Sequence, residues 1–193
     1  PNPLVGAVIV SRGEVAGEGY HERAGMPHAE VVAIARAGAR AKGATLYLNL
    51  EPCCHYGKTP PCTGAILGAG ISRVVFGIHD PDVKVGGRGA ALLREGGVEV
   101  KAGVLAAESL ELNMPYVHWK LTGRPFVALK LALTLDGRLA AAGRRMVTGE
   151  RSREYVHRLR ASMEAVAVGS GTLRADDPRL DRRLYDDSLP APA

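Results

Sequence analysis

Glutamine is absent from the 193-residue chain, and asparagine occurs only at Asn2, Asn49 and Asn113. Such depletion of amide side chains fits a heat-adapted source. Cysteine is equally scarce. Three cysteines, two of them adjacent as Cys53 and Cys54, exclude a framework of paired disulfides and favour metal ligation in a reducing cytosol. Aromatic residues make up 5% of the chain and are nowhere interleaved with arginine, which argues against a stacking platform for single-stranded nucleic acid. No apolar run approaches the ~18 residues of a membrane span. The opening residues lack the basic, apolar, small-residue pattern of a secretory leader, so the expected compartment is the cytoplasm. The 24 glycines and 12 prolines follow no period, which excludes collagen-like and low-complexity chains. Both ends, at Pro1 and at Leu189–Ala193, read as cut, so a piece of a longer protein is expected.

What is present is a globular composition, 46% hydrophobic and 23% charged, with a net charge of +5. The charge is unevenly placed. Residues 1–121 carry 12 Lys and Arg against 11 Asp and Glu; residues 122–193 carry 13 against 9, and 12 of those 13 cations are arginine. Arginine presents a rigid fork suited to phosphates of small ligands. A basic patch of this kind can serve a phosphorylated small molecule or no ligand at all, and neither nucleic acid nor a membrane is the expected partner.

Hydrophobic periodicity alternates between strand and helix. Leu4–Val10 reads as a buried strand with Glu14–Tyr20 as its hairpin partner. A helix runs from His28 to a stop at Gly43. Strands are expected at Thr45–Leu50, Arg73–Ile78 and Val98–Val100, and helices at Cys62–Leu67 and Gly89–Glu95. Gly103–Trp119 reads as helical with an interruption at Pro115. Lys120–Pro125 reads as a polar turn and domain boundary, giving domains of 1–121 and 122–193. Beyond it, strands at Phe126–Leu135 and Ala165–Gly169 flank a helix at Glu150–Ala161. The pattern is that of an α/β sheet with helices on both faces, whose ligand site sits at strand carboxyl ends and helix N-termini.

His28-Ala29-Glu30 opens the first strong helix, Pro52-Cys53 follows a strand, and Pro60-Pro61-Cys62 opens a second helix. One imidazole and two thiolates form a soft set able to hold zinc tetrahedrally with one position open, the pattern of a catalytic rather than a structural site. Zinc lowers the pKa of a water in the open position toward ~7. Glu30, two residues from His28, is placed to carry that water's proton to a ring nitrogen or a leaving amine. Cys54 and His55 compete as ligands. In an extended stretch Cys54 points away from Cys53, and it is read as packing or as backing the ligands. Nucleobase deaminases use H-x-E…P-C-x-x-C, whereas here eight residues separate Cys53 from Cys62.

Pro1-Asn-Pro-Leu-Val-Gly-Ala-Val8, His28-Ala-Glu30 and Glu51-Pro-Cys-Cys-His-Tyr-Gly-Lys-Thr-Pro-Pro-Cys62 resemble the deaminase domain of the bifunctional riboflavin-biosynthesis deaminase/reductase family. Asp80-Pro-Asp82, Gly86-Gly-Arg-Gly89 and Asn113 continue the likeness. Leu129-Lys-Leu131, Leu135-Asp-Gly-Arg138, Arg158-Leu-Arg160 and Ala175-Asp-Asp-Pro178 resemble the opening of its reductase domain.

The resemblance implies a cytidine-deaminase-like α/β/α sandwich followed by a partial dihydrofolate-reductase-like α/β domain. The implied chemistry is zinc-dependent deamination of 2,5-diamino-6-(5-phosphoribosylamino)pyrimidin-4-one. In the full family, NADPH-dependent reduction of the ribosyl to a ribityl chain follows. Glu30 would be the proton shuttle, His28, Cys53 and Cys62 the zinc ligands, and Asn2, His21, His55, Lys58 and Asp80 the substrate contacts of the deaminase. In the second domain, Ala132, Met146, Thr172 and Asp176 would contact NADPH, and Arg144, Arg160, Leu180 and Arg183 the substrate. Asp82 stands where the family usually has Asn, and Arg144 and Met146 where it has Ser and Trp. The family's later glycine-rich nucleotide segment has no counterpart, so the expectation is a deaminase joined to an incomplete reductase domain. An exposed docking face for a missing first helix makes a homo-oligomer possible as an assembly. Two alternatives stand beside this reading: a cytidine- or deoxycytidylate-type deaminase, told apart by competition with cytidine phosphates, and a non-catalytic zinc module in which Cys54 or His55 closes the shell.

Overall fold

The computed structural model describes residues 1–139 and 147–181, and the chain divides after Phe126 into two compact units. In the first unit, β1 (Gly6–Ser11) and β2 (Glu14–Tyr20) form an antiparallel hairpin. Its two-residue loop, Arg12 and Gly13, has positive φ at both positions, the geometry that matches strand twist in tight hairpins. Helix α1 (Ala29–Ala37) continues into a 3-10 turn at Gly38–Ala41, and then come β3 (Thr45–Leu50), α2 (Cys62–Gly68), β4 (Arg73–Ile78), α3 (Arg88–Glu95) and β5 (Glu99–Ala102). The five strands pair in the order β2-β1-β3-β4-β5. β1 and β3 are antiparallel, whereas β3–β4 and β4–β5 are parallel, as crossover helices α2 and α3 require. Helices α4 (Ala106–Leu112) and α5 (Met114–Thr122) close the unit.

Side-chain alternation sets the layers. Ile9, Leu46, Val74 and Phe76 point to one face and are fully buried with Ala33, Ile66, Ala90 and Leu93 of α1, α2 and α3. Burying each of the larger ones contributes roughly 1.5–3 kcal/mol. Gly77 faces the other way, against Ser109 of α4. Helices therefore cover both faces. Two glycines of β2 set the depth of α1: a Cβ on Gly17 would lie 2.4 Å from the Ala33 carbonyl oxygen, and one on Gly19 2.6 Å from that of Ala29. Asn49 and Asn113 pin the chain entering β1. The Asn113 carboxamide accepts from Leu4 N (2.8 Å) and donates to Leu4 O (3.0 Å), while Asn49 donates to Leu4 O (2.6 Å) and accepts from Gly6 N (2.9 Å).

Several expectations are corrected. The break in the Gly103–Trp119 stretch falls at Asn113, and Pro115 sits in the first turn of α5, where its missing N–H costs no helical bond. The expected turn at Lys120–Pro125 begins as the last turn of α5, and the His118 ring packs edge-on against Phe126 at 5.9 Å. In the second unit, α6 (Glu150–Ala161) is present and α7 (Ser170–Asp176) follows. The strands expected at Phe126–Leu135 and Ala165–Gly169 are not formed among the described residues. A strand exists only within a ladder, and without one Leu129, Leu131, Leu133 and Leu135 remain exposed despite their alternation.

Replacing Gly17 with Ala is expected to lower stability by about 1–3 kcal/mol through overpacking against α1, read as a fall in urea midpoint at unchanged m-value.

Candidate active site

The carboxyl ends of β3 and β4 and the N-termini of α1 and α2 converge on one place. Strand β3 delivers Glu51-Pro-Cys53, β4 delivers His79 and Asp80, α1 carries His28 as its N-cap and Glu30 in its first turn, and α2 starts on Cys62. The three ligand candidates meet there. His28 Nδ1 lies 3.2 Å from Cys62 Sγ and 3.5 Å from Cys53 Sγ, and all three donor atoms fall within 4.8 Å of one another. With Zn–N of ~2.0–2.1 Å and Zn–S of ~2.3 Å, tetrahedral ligation separates nitrogen from sulfur by about 3.6 Å. The donor set and its spacing fit zinc. The other ring nitrogen, His28 Nε2, is 3.0 Å from Thr59 Oγ1, a contact that fixes the ring with Nδ1 toward the thiols.

Electrostatics within the cluster are asymmetric. Hydrogen bonding from Cys62 and from His28 pulls the Cys53 thiol down to about 4, while the bond to Cys53 and burial push the Cys62 thiol up. The bond to Cys53 raises the His28 imidazole. Glu30 is 3% exposed, and burial pushes its carboxyl above the ordinary range. A buried carboxylic acid that holds a proton at higher pH than usual is suited to pass one on. Cys54 stands apart, its thiol 3.6 Å from the Lys84 carbonyl, and half-exposed on a separate surface pocket with Lys84 and Arg88. It is therefore neither core nor backing for the ligands.

A cavity of about 270 Å³ opens beside the cluster. Of the expected contacts, Asn2, His21, His55 and Asp80 line it together with His28, Cys53 and Glu30. Asn2 Nδ2 and His55 Nδ1 are buried and have no hydrogen-bond partner, so the cavity wall offers unused polar groups to an occupant. His21 Nδ1 is 3.1 Å from the Pro27 carbonyl, and its ring meets His28 edge-on at 5.1 Å. Lys58 is exposed on its loop and is not part of this wall. The lysine that lines the cavity is Lys120, the first residue of the stretch expected as a polar turn. Its Nζ lies 2.6 Å from Asp82 Oδ2, 5.6 Å from the Tyr116 ring centre and 5.2 Å from that of Trp119. Tyr116 donates its hydroxyl to Asp80 Oδ1 at 2.9 Å, and burial pushes both groups' pKa values up. Asp82, whose carboxyl Lys120 holds below its ordinary value, thus makes an internal ion pair. These α5 residues escaped sequence reasoning because their spacing from the H-A-E and E-P-C motifs carries no local signal.

In the second unit, Ala132, Arg160 and Leu180 are partly buried, whereas Thr172 and Asp176 are exposed on α7. Arg160 donates to the Asp181 carbonyl at 3.1 Å. Arg144, Met146 and Arg183 lie outside the described residues.

A mixed sheet with His, Cys and Cys at its strand and helix ends and a buried Glu beside them defines the zinc-site region of the cytidine-deaminase class. Residues 1–78 match the family described as the cytidine and deoxycytidylate deaminase zinc-binding region, and residues 125–191 match the RibD C-terminal domain. Within that class the chain is similar over nearly all of its length to the riboflavin biosynthesis protein RibD. It is 49% identical to the Aquifex aeolicus protein of that name over 95% of this chain and 52% of that one, and 48% identical to the Escherichia coli protein over 95% and 50%. The crystal structure of a diaminohydroxyphosphoribosylaminopyrimidine deaminase/5-amino-6-(5-phosphoribosylamino)uracil reductase from Thermotoga maritima superposes with a TM-score of 0.89 at 44% identity, covering 96% of this chain and 54% of that one. The chain spans about half the length of these relatives.

Metal analysis of purified protein is expected to find one zinc per chain in the Cys54→Ser variant and a large loss in Cys53→Ser. Lys120→Met is expected to cost about 0.5–1 kcal/mol at pH 7, the worth of a partly exposed ion pair. Because Lys120 depresses the Asp82 pKa, that contribution is complete above the unfolded carboxylate value near ~3.9 and disappears as pH falls through the lower folded value. Urea titrations of both proteins from pH 7 to below pH 3 check it.

Proposed function

We propose that residues 1–121 form a zinc-dependent deaminase acting on 2,5-diamino-6-(5-phosphoribosylamino)pyrimidin-4-one in riboflavin biosynthesis, and that residues 122–193 form the opening part of the reductase domain. The observation that carries the reading is a buried Glu30 beside three convergent zinc donors, on the wall of a cavity with two unpartnered polar groups. His28, Cys53 and Cys62 hold the metal, and zinc bound there supplies a water of lowered pKa at neutral pH. Glu30 accepts one proton of the attacking water and gives it to the ring nitrogen, then takes the remaining proton of the new hydroxyl and gives it to the leaving amine, so that ammonia departs as the carbonyl forms. Its burial serves this, since an acid and base of raised pKa exchanges protons efficiently near neutrality. Asn2 and His55 bind the polar edge of the pyrimidine or its ribose, and Asp80, oriented by the Tyr116 hydroxyl, accepts from an amine or hydroxyl of the substrate. Lys58, on its exposed loop, meets the outer, phosphorylated end. The three free thiols suit a reducing cytoplasm.

For the reductase portion, the reading assigns Ala132, Met146, Thr172 and Asp176 to NADPH and Arg144, Arg160, Leu180 and Arg183 to the substrate, and the match of residues 125–191 to the RibD C-terminal domain supports it. Among the described residues these groups do not enclose a dinucleotide, since Thr172 and Asp176 are exposed. No hydride step is assigned to this chain.

Glu30→Gln is expected to retain zinc while losing about 10²–10⁴-fold in kcat, the usual worth of a general acid and base. Ammonia release from the phosphoribosylaminopyrimidine measures it, and undiminished turnover with zinc bound would remove Glu30 from the mechanism.

A further inference from the structure

A second buried carboxylate stands beside the site and takes no part in the chemistry above. The Glu51 side chain is wholly shielded from solvent, which is costly for an ionised group unless its lone pairs are filled. Four donors fill them, from two separate segments. His79 Nδ1 donates to Oε2 at 2.8 Å, as do Asp80 N at 3.3 Å and Gly87 N at 3.0 Å; Ala90 N donates to Oε1 at 2.9 Å. The partners lie at the end of β4 and at the beginning of α3, where helical N–H groups would otherwise be unpaired and where the helix dipole favours a negative charge. Gly89 lets that helix end close on the turn itself, since a Cβ there would lie 2.1 Å from the Pro52 carbonyl oxygen. The His79 ring is steadied by edge-on packing against buried Phe76 at 5.0 Å.

Glu51 is thus covalently two residues from Cys53 and hydrogen-bonded to the backbone of Asp80, and both Cys53 and Asp80 line the same cavity. We propose that Glu51 is a positioning residue that sets the distance between the metal-bearing turn and the Asp80–Tyr116 wall, and so determines how tightly substrate is held rather than how fast it reacts. His79 assists by holding the carboxylate from the solvent side. The reading rests on the proposed deaminase function, because it concerns the substrate cavity of that reaction.

The test is a double-mutant cycle on the zinc-loaded chain with Glu51→Gln, Asp80→Asn and the pair. Gln keeps the shape but presents an NH₂ to backbone donors, so one of the anchors must open. The expected result is one zinc per chain in every variant, a KM at least 10-fold higher in Glu51→Gln with kcat within 3-fold of the parent, and little further loss when Glu51→Gln is added to Asp80→Asn. His79→Phe, which keeps the ring packing but removes the donor at a half-exposed position, is expected to raise KM about 3-fold. It decides the matter if Glu51→Gln does not fold. Amide exchange gives a readout independent of turnover: protection of Asp80, Gly87 and Ala90 should fall in Glu51→Gln and His79→Phe while the amides of β3 and β4 stay protected. Multiplying effects of Glu51→Gln and Asp80→Asn, loss confined to kcat or to zinc content, or an unchanged KM in His79→Phe would overturn the proposal. A parent chain that fails to release ammonia would overturn the deaminase reading instead, and the exchange pattern would still report on the anchor.

Discussion

The parallel pairing of β3 with β4 is the relation on which the rest of the first unit depends. With Leu50 opposite Ile78, the next residues along each strand, Glu51 and His79, leave the sheet side by side. A metal ligand and a cavity wall therefore emerge from neighbouring strands at the same height. Parallel strands can be joined only by a crossover, and the crossover here is α2, whose first residue is the ligand Cys62. Topology thus brings two thiols, eight residues apart in between, to one side of an imidazole supplied by α1.

Three of the four carboxylates that line the cavity show how differently their surroundings treat them. Glu30 is buried with few donors, and its proton is retained to higher pH. Glu51 is equally buried but receives N–H groups from four residues, which ties it into the scaffold. Asp82, nearer the cavity mouth, meets the Lys120 ammonium and stays ionised. Similar side chains acquire separate tasks from environment alone, the principle by which one site holds an acid and an anion together. The same electrostatic logic explains why a carboxylate at position 82 is tolerated: the cation that neutralises it comes from α5, within the same unit.

Much of the architecture was legible because it is written in local periodicity. The short apolar stretches of β1, β3 and β4, the helical spacing after His28 and the helix-opening Pro61-Cys62 identified elements that the structure contains, within a few residues at their ends. The stretch at Phe126–Leu135 shows the limit of that signal. Its leucines alternate as a strand's would, but alternation states only which face is apolar, and pairing requires a neighbour. The helical end at Lys120 was misread for the opposite reason: Thr122, Gly123 and Pro125 carry turn chemistry, which obscured the last helical turn before them.

The residue types of the candidate metal cluster and of the buried Glu30 beside it were determined by the sequence itself, because imidazole, thiolate and carboxylate chemistry belongs to single side chains and the motifs that hold them are short. The wall of the cavity was decided only by the tertiary structure. Lys120, Tyr116 and Asp80 are far apart along the chain, Lys58 is near the ligands in sequence but turned to solvent, and the anchoring of Glu51 depends on where α3 begins. Contacts of that kind are set by the packing of helices on a twisted sheet, a relation among distant segments to which no stretch of residues, read alone, refers.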